Sequence, residues 1–341
     1  MTSKPPDTPQ PSSRATGRDR SIRGGAPART PFGWLAARVC LGRPALRSAS
    51  LASVIAAILI IVGGGVVRVT GSGLGCPDWP TCIDGSLGPT AEMGWHGIVE
   101  FGNRLLTGAL CAVVGWVIIA ARLQRDPAPA VTRWAWMQFW LVVLNAVIGG
   151  ITVWVKLNPF VVAGHFLAAT LLLTAAAVTW HKARELDLPP VPAASRRSIN
   201  LGNALLAATA VLIVVGTVVT GTGPHAGDSA DVPRMPFSWL AVTVIHGVAA
   251  LVAIGLAVAL RRTAQRSGET AVAAKAGMFI AVFLAQGVIG VVQAFTHLPE
   301  AMVVLHLVGS ALVWVGAVRV SLAAHGGERA VHGLRAGSNT A

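Results

Sequence analysis

Charge is what this chain lacks most. Only 12% of its 341 residues are Asp, Glu, Lys or Arg, and its mean hydropathy is +0.64. A soluble domain carries about 25% charged residues, so the deficit excludes an ordinary soluble protein and points to a polytopic membrane protein. Acidic residues are scarcer than basic ones, 14 against 27, giving a formal net charge of +13. In a soluble protein that excess would suggest a nucleic-acid partner. Here the basic residues lie between apolar runs, so membrane topology explains them and no nucleic acid is expected. Cysteine is also rare, and four in a chain this long do not make a disulfide scaffold. The short alternating strands of a β-barrel are missing too. The apolar runs last about 20 residues, where a barrel strand needs only about ten.

What is present divides readily. Residues 1–48 are rich in Pro, Ser, Arg and Gly without helical periodicity, and read as a disordered basic arm rather than a cleaved signal peptide. Eight spans follow, at about 50–70, 95–121, 133–155, 159–180, 199–221, 237–260, 275–296 and 300–323. Placing the N-terminus in the cytoplasm puts 23 of the 27 basic residues on the cytoplasmic side. The positive-inside rule then predicts a multi-pass protein of the cell membrane with both termini cytoplasmic. The remaining four, Arg68, Arg104, Lys156 and Arg234, fall near outer ends or in outer loops.

The outer loops alternate long, short, long, short, as a tandem duplication of a four-helix unit would give. Val69-Thr70-Gly71-Ser72-Gly73 matches Val219-Thr220-Gly221-Thr222-Gly223, and Gly149 to His165 has the same spacing as Gly290 to His306. The expected fold is an all-α integral membrane protein of eight transmembrane helices in two tandem four-helix bundles with pseudo-two-fold symmetry. The expected parts are the arm 1–48, a bundle at 49–181, a cytoplasmic linker at 182–198, a bundle at 199–323 and a tail at 324–341.

Chemistry-bearing residues cluster at one depth. His165, His246 and His306 each sit a few residues into an even-numbered span, roughly 9–13 Å below the outer surface at 1.5 Å per residue. A single membrane histidine is most simply an interhelical hydrogen bond. Recurrence at matched depth instead suggests axial ligation of a planar cofactor, with His246 and His306 as a facing pair that ligates a haem. No cysteine or carboxylate shares that depth in the C-terminal half, which disfavours zinc or di-iron. Five other histidines, His181, His225, His297, His325 and His332, lie in loops, tails or helix ends and are weak candidates.

The N-terminal half departs from this pattern. Asn103 stands where a ligand matching His246 would be, so His165 has no obvious histidine opposite it. His96, Glu100 and Asn103 share one helix face, and His96 could serve only from nearer the surface. Glu100 is a carboxylate within the bilayer, where an unpaired charge is costly. It reads either as a functional group or as an ion pair with Arg104 at i+4. The first outer loop holds Cys76-Pro-Asp-Trp-Pro-Thr-Cys82, which faces an oxidising compartment and is expected to form a disulfide, structural or redox-active.

Taken together, these residues resemble a known family. The string from Arg68 to Cys82, the segment Glu100-Phe-Gly-Asn-Arg104, the loop Gly221-Thr-Gly-Pro-His-Ala-Gly-Asp228 and the two repeats ending in His165 and His306 closely resemble haem A synthase. The resemblance covers all eight spans. It implies an oxidoreductase that converts the C8 methyl of haem O to a formyl group, giving haem A for cytochrome oxidase. It also implies haem b as cofactor on His246 and His306, and a substrate site with His165 near Glu100. Many members have a histidine where this chain has Asn103, so His165 alone, or with His96, is expected to face the substrate haem. Arg68 and Arg104 are expected to pair with propionates. Haem O synthase and cytochrome oxidase assembly factors are implied as partners, together with an electron donor. The rival readings are a bis-histidine cytochrome b without haem-modifying activity, which explains neither Glu100 nor the cysteine loop, and a transporter built from repeats.

Overall fold

A computed structural model describes residues 34–35, 38–189, 191–228 and 232–326. Most of the expected N-terminal arm, and the tail beyond 326 with His332, lie outside the described residues. Among the described residues the chain is helical, with three isolated β-bridges and no strand. The eight long helices are α1 (Arg43–Val69), α2 (Gly94–Arg122), α3 (Pro129–Trp154), α4 (Pro159–Glu185), α5 (Arg196–Thr222), α6 (Trp239–Arg266), α7 (Thr270–Phe295) and α8 (Glu300–His325). All eight are long and apolar enough to cross a bilayer.

The outer ends of these helices fall close to where the hydropathy stops, but the opposite ends run on. α1 begins at Arg43 rather than near 50, α4 continues to Glu185, α5 starts at Arg196 and α6 reaches Arg266. The helices thus run a few residues past the apolar spans at these ends. Hydropathy marks where the bilayer ends, whereas a helix continues until a backbone signal stops it. Those signals are visible: Pro44 and Pro129 in the first turns of α1 and α3, Ser195 accepting from Ser198 N at 3.3 Å, and Gly268 at φ +70° after α6.

Packing proceeds by helix neighbours. α1 packs on α2 and α4, and α3 on α2 and α4. In the same way α5 packs on α6 and α8, and α7 on α6 and α8. One apolar core joins Leu46, Val114, Val131 and Leu172 of α1–α4 to Trp314 and Val318 of α8. A second joins Leu205, Leu260 and Phe279 of α5–α7 to Val313 and Val320 of α8. Many buried contacts are made by alanine, among them Ala49, Ala120, Ala176, Ala253, Ala276 and Ala317. Lipid is as apolar as leucine, so helices in a bilayer associate through close packing, and small side chains allow it.

The short turns between α3 and α4 and between α7 and α8 share an unusual backbone. Lys156 and Leu157 have φ of 50° and 58°, and His297 and Leu298 have φ of 60° and 59°. These pairs are separated by the same interval in sequence as Gly149 from Gly290, although the neighbouring prolines are not. Consecutive left-handed residues without glycine are rare. Leu157 is held there by burial, since it is 7% exposed and lies beneath Gly73 and Gly227. Lys156 is exposed. Leu157→Ala should therefore cost about 2–5 kcal/mol, visible as a lower unfolding temperature in detergent. Lys156→Gly, which removes the clash of a left-handed Cβ, should stay within about 1 kcal/mol of the parent.

Candidate functional site

Two groups of residues occupy the end of the molecule that carries the long loops. In the first, Cys76 and Cys82 are joined by a disulfide, and both are fully buried. The loop they close stands on α2. Cys76 N–H donates to Glu100 Oε2 at 2.7 Å, and Arg104 Nη2 donates to Glu100 Oε1 at 2.7 Å. Arg104 also donates to the carbonyls of Thr81 (2.8 Å), Asp78 (2.9 Å) and Cys76 (3.2 Å). The expected i,i+4 pair thus exists, but it forms part of a wider clamp. A carboxylate whose side chain is 8% exposed is tied through its own partner to the disulfide loop.

This loop packs on backbone. A Cβ on Gly75 would collide with the His96 carbonyl, and one on Gly150 of α3 would lie 2.7 Å from the Trp79 ring. His96 Nδ1 meets Ser72 Oγ at 3.0 Å, which fixes its ring near the loop. Arg68 crosses to the other long loop, donating to the His225 carbonyl (3.0 Å) and the Thr220 carbonyl (2.9 Å). Gly73 N bonds to Gly227 O at 2.7 Å, and Leu74 N to Asp228 Oδ2 at 2.9 Å. His225 reaches the Leu298 carbonyl at 2.9 Å. Arg234 donates to the Pro224 carbonyl, and its burial lowers its pKa below the usual guanidinium value.

The second group is the set of side chains at matched depth, and each faces a glycine on the preceding helix. A Cβ on Gly216 of α5 would lie 3.2 Å from His246 Cε1, and one on Gly290 of α7 would lie 3.1 Å from His306 Cε1. On Gly149 of α3 it would lie 3.2 Å from His165 Cε1, and on Gly63 of α1 it would lie 2.6 Å from Asn103 Oδ1. Gly149 and Gly290 were visible in the repeat. Gly63 and Gly216 were missed, and the signal that could have found them is their place opposite the second helix of each half. Asn103 thus occupies the same kind of niche as the histidines.

The two halves differ in detail. For His246 and His306 the ring nitrogen nearer the glycine is Nδ1, whereas for His165 it is Nε2. Nδ1 of both His246 and His306 is buried without a hydrogen bond, as is Asn103 Oδ1. Among the described residues no hydrogen bond joins His165 to His96 or Asn103. Gln286, also missed, donates to the His306 carbonyl at 2.8 Å, and only a glycine at 309 leaves room for its amide. Its counterpart Asn145 bonds within its own helix, to Leu141 O at 2.7 Å. Among the described residues no three His, Cys, Asp or Glu side chains form a group able to hold a metal ion. His246 and His306 both turn Cε1 and Nδ1 toward a glycine of the preceding helix, with Nε2 farther from it.

A family model described as cytochrome oxidase assembly protein matches residues 47–318. Curated relatives include the haem A synthase of Lysinibacillus sphaericus, 26% identical over 56% of this chain and 61% of the relative. That of Bacillus pumilus is 32% identical over 36% of this chain and 39% of the relative, and that of Oceanobacillus iheyensis 28% over 33% and 36%. The chain therefore spans between about a third and three fifths of the length of the relatives it matches.

The clamp makes a stability prediction. Arg104→Met removes the donor shared by Glu100 and three loop carbonyls. Breaking a fully buried pair costs about 3–5 kcal/mol, and Arg104, 21% exposed, should cost less than that. Thermal unfolding with intact disulfide should show the loss, and limited proteolysis should open the 71–90 loop first. Unchanged protease resistance would mean that the clamp does not hold the loop.

Proposed function

The chain belongs to the haem A synthase family of cytochrome oxidase assembly proteins, and from that premise we propose that it is a multi-pass membrane oxidoreductase acting on haem O. Its product is haem A, made by oxidising the C8 methyl to a formyl group. The observation that carries the reading is the clamped Glu100: a buried carboxylate with a fixed position, in the half where Asn103 stands at the position that His246 holds in the other. A simple electron-relay cytochrome has no use for such a group.

The residues divide the work between the halves. The bundle of α1–α4 takes the substrate, with His165 facing its ring and Glu100 near the reacting methyl. Two hydroxylations, each adding one oxygen atom and removing two electrons to an external oxidant, followed by loss of water from the resulting diol, would give the aldehyde. Glu100 accepts one hydrogen bond at each oxygen and keeps further lone pairs, so it can take or return a proton without leaving the clamp. The fixed charge also favours positive character developing at the substrate carbon. Arg104 and the Cys76–Cys82 loop position Glu100. Arg68 and Arg104 direct donors to carbonyls of the protein, and propionates would share them. In the bundle of α5–α8, His246 and His306 hold haem b, which supplies an electron-transfer centre when bound. The protein orients and insulates these groups and leaves the redox chemistry to the macrocycles.

Asn103 defines the substrate side. Its orphaned amide oxygen is a weak donor for iron, which leaves the substrate haem with His165 as its protein ligand and an open face. The N- and C-termini lie in the cytoplasm on this reading, with the disulfide loop outside. Haem O synthase and assembly factors are the corresponding partners in the membrane.

Glu100→Gln should keep the low-spin haem b spectrum and lower haem A formation in a haem O-producing host by at least about 100-fold, the scale of a lost acid–base group. Normal haem A content in that variant would refute the catalytic assignment. His246→Ala and His306→Ala should each abolish the low-spin spectrum, and retention of the full spectrum in both would remove the ligand pair. Asn103→His should add a second low-spin signal when haem O is supplied, because it places a ligand in the niche beside Gly63.

A further inference from the structure

At the end of the molecule opposite the disulfide loop, two adjoining cavities open where α3, α4, α7 and α8 meet. The larger, about 540 Å³, has an apolar wall that includes Trp134, Leu206, Trp314 and Val318, with Arg133 and Lys182 on its rim. The smaller, about 340 Å³, shares Lys182 and adds Arg184, Lys275 and Arg319. The larger falls in the usual range of ligand pockets, about 300–1,000 Å³.

The charge here is one-sided. Among the described residues, Arg133, Arg184, Lys275 and Arg319 line the two cavities with one carboxylate, Glu185, which meets His181 at 3.0 Å and lies near Lys275. Asp187, the next acid along the chain, is engaged by Arg43 and Arg47 of α1. Lys275 is close enough to Arg319 and Arg184 for mutual repulsion. Trp180 holds two of these cations in place, with Arg319 Cζ 4.9 Å and Arg184 Cζ 5.3 Å from its ring centroid. Clustering like charges at the edge of a low-dielectric slab costs energy unless an anion sits among them. Orientation alone needs basic residues on this side of the membrane, but it does not need them gathered around one apolar-walled cavity.

We propose that this junction is a binding site for an anionic phospholipid. The phosphate sits among Arg133, Lys182, Lys275 and Arg319, and an acyl chain lies along the apolar wall between α3, α5 and α8. Basic pockets between transmembrane helices take anionic headgroups by this combination of charge and apolar contact. The apolar wall commits the site to a lipid rather than to free phosphate. The lipid joins helices of both halves and so braces the molecule, a role that does not rest on the haem chemistry proposed above.

The test uses the full-length protein with its haem, delipidated in neutral detergent and titrated with phosphatidylglycerol, phosphatidylcholine or inorganic phosphate while thermal unfolding is followed. A ligand that binds only the folded state raises the unfolding temperature with its concentration. Phosphatidylglycerol should raise it by several degrees, and the other two should leave it unchanged. Lys275→Gln combined with Arg133→Gln should shift the half-effect concentration of phosphatidylglycerol upward by about 10-fold. Arg261→Gln with Arg262→Gln, which keeps the cavity walls intact, should not. An equal response to phosphatidylcholine, a full response to phosphate, or an unshifted midpoint in the cavity variant would each overturn the proposal. Should the double variant fail to fold, Arg133→Gln alone and native mass spectrometry of the parent protein decide the matter. Selective retention of phosphatidylglycerol, weakened by Arg133→Gln, supports the site, and equal retention of both lipids refutes it.

Discussion

The structure depends on glycines that face the side chains at the working depth. In a bundle of antiparallel helices a ring can occupy the interior only if the neighbouring helix surrenders its own side chain there. Gly63, Gly149, Gly216 and Gly290 do this for Asn103, His165, His246 and His306. A Cβ on any of the three glycines that face histidines would lie 3.1–3.2 Å from the ring Cε1. A methyl group at any of these glycines would meet the opposing side chain, so the depth of each ring is set by backbone as much as by side-chain choice. The same substitution of glycine for bulk recurs at Gly309, where the Gln286 amide passes to reach the carbonyl of His306.

Departures from the shared pattern coincide with the side proposed for substrate. Asn103 replaces a histidine, Asn145 turns inward on its own helix where Gln286 reaches across, and His165 presents the other ring edge to its glycine. The same side has the long loop with a disulfide, clamped by Glu100 and Arg104. The proposed function assigns the permanent cofactor to the half whose two rings meet their glycines by the same edge, and the exchanging substrate to the half with the clamped loop.

Much of this was legible in the sequence, for physical reasons. Hydropathy located the outer helix ends because the short turns there follow directly on apolar runs. At the other ends the helices run past the apolar spans, because basic residues extend a helix without changing its backbone. Glu100 and Arg104 were legible as a pair because they are four residues apart on one helix. Their wider clamp was not, since Cys76 N–H and the carbonyls of Thr81 and Asp78 leave no mark in residue type. Arg68 was read as a candidate for propionates, yet its partners here are carbonyls at His225 and Thr220, and backbone acceptors that distant cannot be seen from composition. Gly63 lies in a run of three glycines, Gly63-Gly64-Gly65, through which α1 continues unbroken, so residue type alone does not single it out.

The cations of the two ends show how context decides what a charge can do. At the loop end Arg68, Arg104 and Arg234 each donate to backbone carbonyls, and among the described residues Arg104 also meets a carboxylate. Carbonyl dipoles satisfy a guanidinium's directional donors without cancelling its charge, although this end also carries Asp78, Asp84, Glu92, Glu100, Asp228 and Glu300. At the opposite end the cations line cavities instead, steadied by the Trp180 ring and outnumbering the acid among them. On the proposed reading, a guanidinium held by carbonyls keeps its charge for an anionic group of the substrate, and cations around an open, apolar-walled space call for an amphiphilic anion. At the cavity end the acidic residues are too few to neutralise the cations that line it.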